Sequence, residues 1–364
     1  MRTNRVVWMI VAAVVVLLGA GTAVVFALRS DSGEPSAAPA ASAPVPSVVP
    51  RTASPAPSPG ADLTGPLDLL LIGVDTRVSI PDWQPHADAI MLLHVDASLR
   101  SGYLYSLPRD LRVDIPAFAR NGYGGGRHKL TEAMSYGARV RGTDRANVAQ
   151  GYELLSRTIS RYTGIRSFDA GAILTFDGLS RLTDALGGVT MTIDQKVVSQ
   201  HRRPDGSART LRPGGGGYVG PQATYLPGTR KLVGWQAIDY ARQRYTAGGD
   251  YTRQRHQRQL VKSLLAEAEG AGLATDTAKL QAVLTALGDT LVFSGTRTPI
   301  EYAYALRDLS PAGLTSVGLP GDAVFSNGGY IGEQLAPSGR AFLRAVAAGD
   351  PAAYLAGHPE LVKN

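Results

Sequence analysis

The fold of this chain is constrained most by a short apolar segment, Leu67–Val74, which is followed by the polar residues Asp75 and Arg77. Its length and composition predict a buried β-strand. A second apolar segment, Ala89–Val95, follows a proline-containing loop, and a third, Tyr103–Leu107, returns after a turn. Because few residues separate the second and third segments, we expect them to pair as a β-hairpin.

This hairpin places charged residues at one edge of the predicted sheet. Asp88 precedes the second strand and Arg109 follows the third, so both lie at the same end of the hairpin. If the first strand also pairs antiparallel with the second, Asp75 joins them there. Two carboxylates beside open coordination positions are typical of Mg²⁺ sites that act on phosphates. Capping of a strand end is the alternative for either aspartate taken singly.

The rest of the chain alternates helices and strands, which predicts a single α/β domain with layered architecture. The glycine-rich segment Arg202–Gly220 is expected to be a mobile surface loop. The predicted strands are Phe168–Phe176 and Val189–Ile193, and the predicted helices are Arg145–Tyr162, Asp177–Leu186, Trp235–Tyr240, Thr252–Glu269, Thr277–Leu287, Pro299–Leu309 and Ser338–Ala347.

The most basic part of the chain is Tyr240–Gln259, which surrounds Asp250 and His256 with five arginines. Asp250 follows two glycines and precedes a helical pattern, so it is predicted to be the helix N-cap. Side chains two apart on an extended chain point the same way, which would align the first two arginines. The five are Arg242, Arg244, Arg253, Arg255 and Arg258.

One face of the predicted helix combines polar and apolar residues. Arg253 and Gln257 share a stripe with Leu260 and Leu264, whereas Arg255 falls on the opposite side. Burying a guanidinium is costly unless an anion partners it. The pattern therefore favours a site for a phosphate or pyrophosphate. A solvated basic helix is the alternative.

Composition narrows the classes of function. The chain has 364 residues, a formal net charge of +7 and no cysteine. The positive charge favours anionic partners, and the lack of cysteine excludes disulfides and a thiol nucleophile. The histidines lack metal-ligand spacing, and serine hydrolase, Walker A and dinucleotide-binding motifs are absent. Lys129 is a further candidate phosphate ligand or, equally, a surface lysine.

The N-terminal region predicts a membrane anchor. Residues 6–28 form an uncharged apolar run long enough to span a bilayer, preceded by Arg2 and Arg5. The positive-inside rule places residues 1–5 in the cytoplasm and the remainder outside the cell membrane. A cleaved signal peptide is the alternative. Residues 29–65, rich in Ala, Pro and Ser, predict a disordered linker. The domain is expected over 66–350, followed by a tail over 351–364.

Several of these motifs occur together in one known family. In order, with their core between residues 67 and 268, they are Leu71–Arg77, Asp88, Leu107–Asp110, His128–Leu130, Leu186–Val189, Arg242, Arg244, Asp250, Arg253 and Gln257. In these residues the chain resembles the LytR-CpsA-Psr family of membrane-anchored glycopolymer transferases. The resemblance implies an α-β-α fold with a mixed sheet and an apolar cavity for a polyprenyl tail. It also implies Mg²⁺-assisted transfer of a glycopolymer from polyprenyl pyrophosphate to peptidoglycan.

The resemblance also assigns roles to individual residues. Asp75 and Asp88 resemble the metal ligands, and Asp250 resembles the acidic residue near the reaction centre. Ala89, Thr131 and His256 depart from the residues common in the family, and the last substitution implies a weaker or pH-dependent clamp. The residues that resemble pyrophosphate binders are Arg77, Arg109, Lys129, Arg242, Arg244, Arg253 and Gln257, with Arg109 and Arg253 expected at the reacting phosphate.

The charges suggest a chemical step. Arginines and Mg²⁺ would stabilise the departing polyprenyl phosphate while a peptidoglycan hydroxyl attacks. Asp250 or Asp88 would accept the proton of that hydroxyl. A pyrophosphatase using the same site and a non-catalytic receptor for anionic lipid or polymer are the alternatives. Nucleic acid is not an expected partner, because no recognisable reading module is present and the anchor places the domain outside the cell.

The predicted topology can be tested with reporter fusions. A reporter that is active only outside the cytoplasm, fused after Pro59, should be active, because residues 6–28 would carry everything that follows across the membrane. A reporter that is active only in the cytoplasm should be silent at the same junction. The opposite pattern would reject an extracytoplasmic domain.

Overall fold

The computed structural model of the chain describes residues 59–75, 84–214, 217–273 and 276–363. The predicted anchor, most of the predicted linker and Arg77 lie outside these residues. Within the described ranges, no helix is both long enough and apolar enough to cross a membrane.

Sixteen strands and nine α-helices are present in the described residues. The strands are β1 Leu67–Asp75, β2 His86–Val95, β3 Gly102–Ser106, β4 Arg112–Ile115, β5 Gly126–Lys129, β6 Ala170–Thr175, β7 Val189–Ile193, β8 Val197–Val198, β9 Thr210–Leu211, β10 Tyr218–Val219, β11 Thr224–Tyr225, β12 Gly228–Leu232, β13 Leu291–Gly295, β14 Leu314–Val317, β15 Gly321–Ser326 and β16 Gly329–Leu335. The helices are α1 Leu130–Ala138, α2 Val148–Thr163, α3 Phe176–Ala185, α4 Gly234–Arg242, α5 Gly249–Gly270, α6 Thr277–Leu287, α7 Pro299–Ala305, α8 Pro337–Ala347 and α9 Pro351–Ala356.

A mixed six-stranded sheet forms the centre of the domain, in the order β13-β6-β1-β2-β3-β14. β1 pairs antiparallel with β2, and β2 pairs antiparallel with β3, so the predicted hairpin and the antiparallel first strand are confirmed. β1 also pairs parallel with β6, which buries it between two neighbours. Leu69 and Leu70, on opposite faces of β1, are both fully buried.

Helices cover both faces of this sheet. On one face, Leu71 and Leu93 pack with residues of α3 to α7, including Leu264 of α5. On the other face, Leu70 packs with residues of α1, α2 and α8, including Leu154. Successive residues of a strand point to opposite faces, so one apolar strand serves both cores. The predicted α-β-α layering with a mixed sheet is confirmed.

Helix α5 starts earlier than predicted. Its N-cap is Gly248, whose φ is 81°, and Gly249 also has a positive φ of 54°. Residues with a Cβ rarely adopt such angles, so the glycine pair allows the helix to begin here. The prediction that Asp250 is the N-cap was therefore wrong. Asp250 lies in the first turn, where a negative charge still favours the helix dipole.

Two other segments have more structure than the sequence indicated. The glycine-rich segment expected to be a loop contains β9 and β10, which pair antiparallel. Residues 351–363, treated as a tail, form α9 and a 3₁₀ turn whose Leu355 and Leu361 are buried. Hydrogen bonds also tie this end to the sheet, from Gly318 N to Leu361 O (2.8 Å) and from Lys363 N to Ser316 O (2.8 Å).

Candidate active site

One edge of the central sheet opens into a pocket, here called the polar pocket. Asp75 ends β1, Asp88 lies in β2, and Arg109 follows β3. All three side chains line this pocket, so the structure brings together the residues that the hairpin argument placed on one rim. The other charged or amide residues of its lining are Gln200, Arg242, Gln243, Arg244, Arg253 and Gln257.

A close ion pair fixes the sheet side of the polar pocket. Arg109 Nη1 donates to Asp88 Oδ1 at 2.5 Å, and both side chains are largely buried. Burial opposes the charge on Arg109, but the negative charges of Asp88 and Asp110 outweigh it and raise the pKa of Arg109. The guanidinium therefore stays cationic at the pocket wall.

Helix α5 supplies the opposite wall with Arg253. Its side chain is only 5% exposed, and Nη2 lies 2.7 Å from Asp250 Oδ1. Gln254 Nε2 donates to the other carboxylate oxygen of Asp250 at 3.0 Å. Burial lowers the pKa of Arg253, and Asp250 partly offsets that effect. Asp250 thus contacts Arg253 and is not among the residues that line the pocket.

Arg242 and Arg244 enter the polar pocket from the end of α4. Between them, Gln243 is 1% exposed and donates to Asp239 Oδ1 at 2.8 Å. It also accepts from Gln200 N at 3.0 Å. Two hydrogen bonds thus fix Gln243, and both of its arginine neighbours line the pocket with it. Arg242 also lies 4.4 Å above the ring of Phe176.

Lys129, predicted to bind phosphate, lies beside the polar pocket and does not line it. Its Nζ is 3.5 Å from Asp110 Oδ2 and 4.8 Å from the ring centre of Tyr330. Two further residues line the polar pocket without any sequence motif to mark them: Tyr218, in the glycine-rich segment, and His201, just before it. Their positions depend on how that segment folds back.

His256 does not contribute to the polar pocket. Its ring is 1% exposed, stacks on Tyr240 at a 4.3 Å centroid distance, and Nε2 lies 2.9 Å from Asp194 Oδ1. Arg255 pairs with the other oxygen of the same carboxylate. The expectation that His256 would weaken the clamp is therefore not supported by its position. It links α5 to the end of β7.

An apolar pocket, here called the apolar crevice, adjoins the polar pocket. It has a cavity volume of about 60 Å³ and lies between strands β1, β2 and β6 and helices α3, α4 and α5. Phe176, Arg242 and Gln257 line both spaces, so the two pockets are immediate neighbours. The remaining lining is nearly all apolar and includes Leu71, Ala89, Met91, Leu174, Leu179, Ile238, Leu260 and Leu264.

The carboxylates of the polar pocket are of the type that binds Mg²⁺. Asp75 and Asp88 supply hard carboxylate oxygens, which Mg²⁺ prefers. No group of three or more His, Cys, Asp or Glu side chains that could hold a metal occurs in the part of the chain that the structure describes. The two aspartates therefore fit a Mg²⁺ that completes its coordination with water and substrate oxygens. They do not form an all-protein metal cage.

Together, the fold and the site define a layered α/β domain with an arginine-rich polar pocket beside an apolar crevice. The LytR_cpsA_psr family profile matches residues 30–335, which is most of the chain. The chain therefore belongs to the LytR-CpsA-Psr family.

Curated relatives and solved structures agree with this assignment. Biofilm regulatory protein A of Streptococcus mutans is 28% identical over 55% of this chain and 43% of its own length. An Enterococcus faecalis relative, polyisoprenyl-teichoic acid–peptidoglycan teichoic acid transferase TagU, is 26% identical over 62% and 60%. The chain thus spans less than two thirds of these relatives.

A solved Streptococcus agalactiae protein shares the fold. Its TM-score is 0.60 at 24% identity, with 78% of this chain and 87% of that chain covered. Bacillus subtilis TagV has a TM-score of 0.55 at 16% identity, with 78% and 96% covered.

The buried His256 should make folding stability depend on pH. Burial lowers its pKa below the usual 6.5 despite the nearby Asp194. As pH falls through about 6.5, the unfolded chain gains a proton that the folded ring resists, so stability is lost. Burial raises the pKa of Asp194, but His256 outweighs burial, so the pKa lies below the usual 3.8. The stability that Asp194 contributes is therefore lost only at more acidic pH.

We expect urea unfolding of the full chain to show a decline in stability between pH 7 and pH 5, with His256 contributing up to about 1.4 kcal/mol per pH unit. His256→Gln should be less stable at pH 7 but should show a shallower decline. An equally steep decline in the variant would show that His256 is not the titrating group.

Proposed function

We propose that this protein is a membrane-anchored, extracytoplasmic transferase that moves a glycopolymer from a polyprenyl-pyrophosphate carrier to peptidoglycan. The observation that carries the proposal is that the polar pocket directly adjoins the apolar crevice, with Phe176, Arg242 and Gln257 lining both. A lipid-linked diphosphate matches this pair of pockets, because its charged head group is attached to a long apolar tail. Burial of that tail would contribute about 25 cal/mol for each Å² removed from water.

The arginines would bind and orient the diphosphate. Arg253 and Arg109 present buried or nearly buried guanidinium groups, which form stronger contacts to phosphate oxygens than solvated ones do. Arg242 and Arg244 reach the same pocket from α4. Because Arg253 is already held by Asp250, and Arg109 by Asp88, their positions are set before substrate arrives. This preorganisation favours the charge that develops on the leaving phosphate.

Asp75 and Asp88 would hold Mg²⁺ together with substrate oxygens. When bound there, Mg²⁺ would neutralise negative charge on the diphosphate. This role for the two aspartates rests on their shared pocket and on the chemistry of carboxylate ligands.

The transfer step forms one phosphorus–oxygen bond and breaks another. A peptidoglycan hydroxyl attacks the phosphorus that carries the glycopolymer, and polyprenyl phosphate leaves from the apolar crevice. Asp88 lines the pocket, whereas Asp250 contacts Arg253 behind the lining. The hydroxyl proton passes to one of these two carboxylates, Asp88 or Asp250, and Asp250 also positions Arg253.

The relatives support the same class of reaction. The name of the Enterococcus faecalis relative specifies a polyisoprenyl-linked donor and a peptidoglycan acceptor, and its alignment includes 62% of this chain. TagT, with a TM-score of 0.53 and 21% identity, has been solved bound to LI-WTA. These relatives favour transfer over hydrolysis or simple binding as the proposed activity.

One assay separates the transferase from its alternatives. The full chain is incubated with lipid-linked glycopolymer, Mg²⁺ and peptidoglycan. A transferase attaches polymer covalently to peptidoglycan, a pyrophosphatase releases it to water, and a receptor leaves the substrate bound and unchanged. Either of the last two outcomes would reject the proposed function.

Loss of Asp75 should abolish transfer without unfolding the domain. Asp75→Ala removes one of two carboxylates at the pocket rim, so we expect kcat to fall by about 100-fold or more at limiting Mg²⁺. Asp177→Ala is the matched control, because Asp177 is exposed on α3 and pairs with the exposed Arg181. Near-normal turnover by Asp75→Ala, with circular dichroism showing a folded chain, would exclude Asp75 from the reaction.

Arg253 and Arg255 should respond differently to substitution. Arg253→Ala removes a buried, ion-paired guanidinium, so binding of lipid-linked diphosphate should weaken by about 2 to 5 kcal/mol. Arg255→Ala alters a side chain that is 41% exposed and pairs with Asp194, so its effect should be about 0 to 1 kcal/mol. Arg253→Lys should not restore affinity, because an ammonium group cannot make a planar bidentate contact.

The affinities are measured at low and high salt. Salt should diminish only the small Arg255 effect, because exposed charges are screened more than buried ones. Equal and salt-sensitive losses at both positions would mean that α5 presents a solvated basic surface.

A further inference from the structure

A second buried arginine on α5, Arg258, has no role in the polar pocket. Its residue is 4% exposed, and Nη1 donates to the neutral Ser106 Oγ at 3.2 Å. Within the described residues, its Nε has no hydrogen-bond partner and no carboxylate forms an ion pair with it. Burial lowers the pKa of Arg258 to about 10, so the group still carries its charge at neutral pH.

The other buried arginines are satisfied in ways that Arg258 is not. Arg253 pairs with Asp250 at 2.7 Å. Arg209 donates to the backbone carbonyls of Gln200, Tyr218 and Gly220 at 2.8 to 3.3 Å. Burying a cation whose single partner is a hydroxyl costs free energy. An anion from outside the described chain would offset that cost.

Arg258 lines a separate pocket, here called the lateral pocket. It lies between α5, residues 318–321 after β14, the start of α8, and residues 360–363. Its charged lining consists of Arg258, Arg255, Lys363 and Glu360, and Glu360 is exposed. Arg255 is already paired with Asp194. Cationic groups therefore outnumber the one carboxylate in the lining.

The start of α8 lies at the same pocket, where Ser338 is part of the lining. This 11-residue helix has Ala336 as N-cap, which provides no side-chain cap, and Pro337 has no N–H. In the described part of the chain, no backbone acceptor outside the helix pairs with the N–H groups of Ser338 and Gly339. Helix N-termini favour anions because their free N–H groups and dipole point toward them.

We propose that the lateral pocket is a second phosphate-binding site, formed by Arg258, the first turn of α8 and Lys363. A phosphate offers several acceptor oxygens to a guanidinium, a serine hydroxyl and backbone N–H groups, and its charge offsets that of Arg258. The ligand is a phosphate ester, a phosphodiester or free phosphate, which share this chemistry. This proposal does not depend on the proposed transferase activity. The two sites are neighbours along α5, since Tyr251 of the lateral pocket directly follows Asp250.

The site can be tested by nuclear magnetic resonance on the full chain. Sodium phosphate is added at constant ionic strength, with sodium chloride as the reference, while the Nε–Hε signal of Arg258 and the amide signal of Gly339 are followed. We expect both signals to shift saturably with phosphate and not with chloride. Methyl phosphate and dimethyl phosphate are then compared with inorganic phosphate, which identifies whether an ester, a diester or the free ion binds most tightly.

Two variants locate the binding. Arg258→Gln should weaken phosphate binding, measured at the Gly339 amide, by about tenfold or more. Arg255→Gln is the matched control in the same pocket and should have a smaller effect, because Arg255 is already paired with Asp194. Without phosphate, Arg258→Gln should be at least as stable as the native chain, since it removes an unpaired buried charge.

The proposal is overturned if the Arg258 signal does not respond to phosphate, or if chloride shifts it equally. It is also overturned if Arg258→Gln folds and binds phosphate at the Gly339 amide as tightly as the native chain. The titration of the native chain decides the matter even if the variant does not fold.

Discussion

The burial of guanidinium groups on α5 is the constraint on which the site depends. Arg253 and Arg258 lie within two turns of one helix, and both are 4% exposed. The helix can bury them because Leu260 and Leu264, farther along, pack into the core beneath the sheet. Burying each charge costs free energy that the apolar residues must offset. Anion binding would offset that cost, so the affinity of the site for an anion and the cost of burying the arginines have the same origin.

The local parts of the site could be predicted from the sequence. The rim with Asp75, Asp88 and Arg109 follows from a short hairpin and one antiparallel neighbour, which needs no long-range information. The inward direction of Arg253 follows from helical periodicity alone. In both cases the geometry of one helix or of paired neighbouring strands determines where the side chains lie.

Long-range contacts were beyond such an argument. His256 and Arg255 were found to share Asp194, which lies about sixty residues earlier in the chain. Lys129 matched a motif but contacts Asp110 and Tyr330, because the β15–β16 hairpin lies beside it. The N-cap of α5 was misjudged because two glycines with positive φ start the helix before Asp250. The burial of Arg258 depends on Ser106, on a distant strand.

The contacts of residues 361–363 with β14 have a consequence for solubility. β14 is an edge strand of the central sheet. An exposed edge presents unpaired backbone groups to which another chain can add a strand. Backbone bonds from Gly318 to Leu361 and from Lys363 to Ser316 occupy part of that edge. These few residues therefore cover part of the strand edge and disfavour strand addition by a second chain.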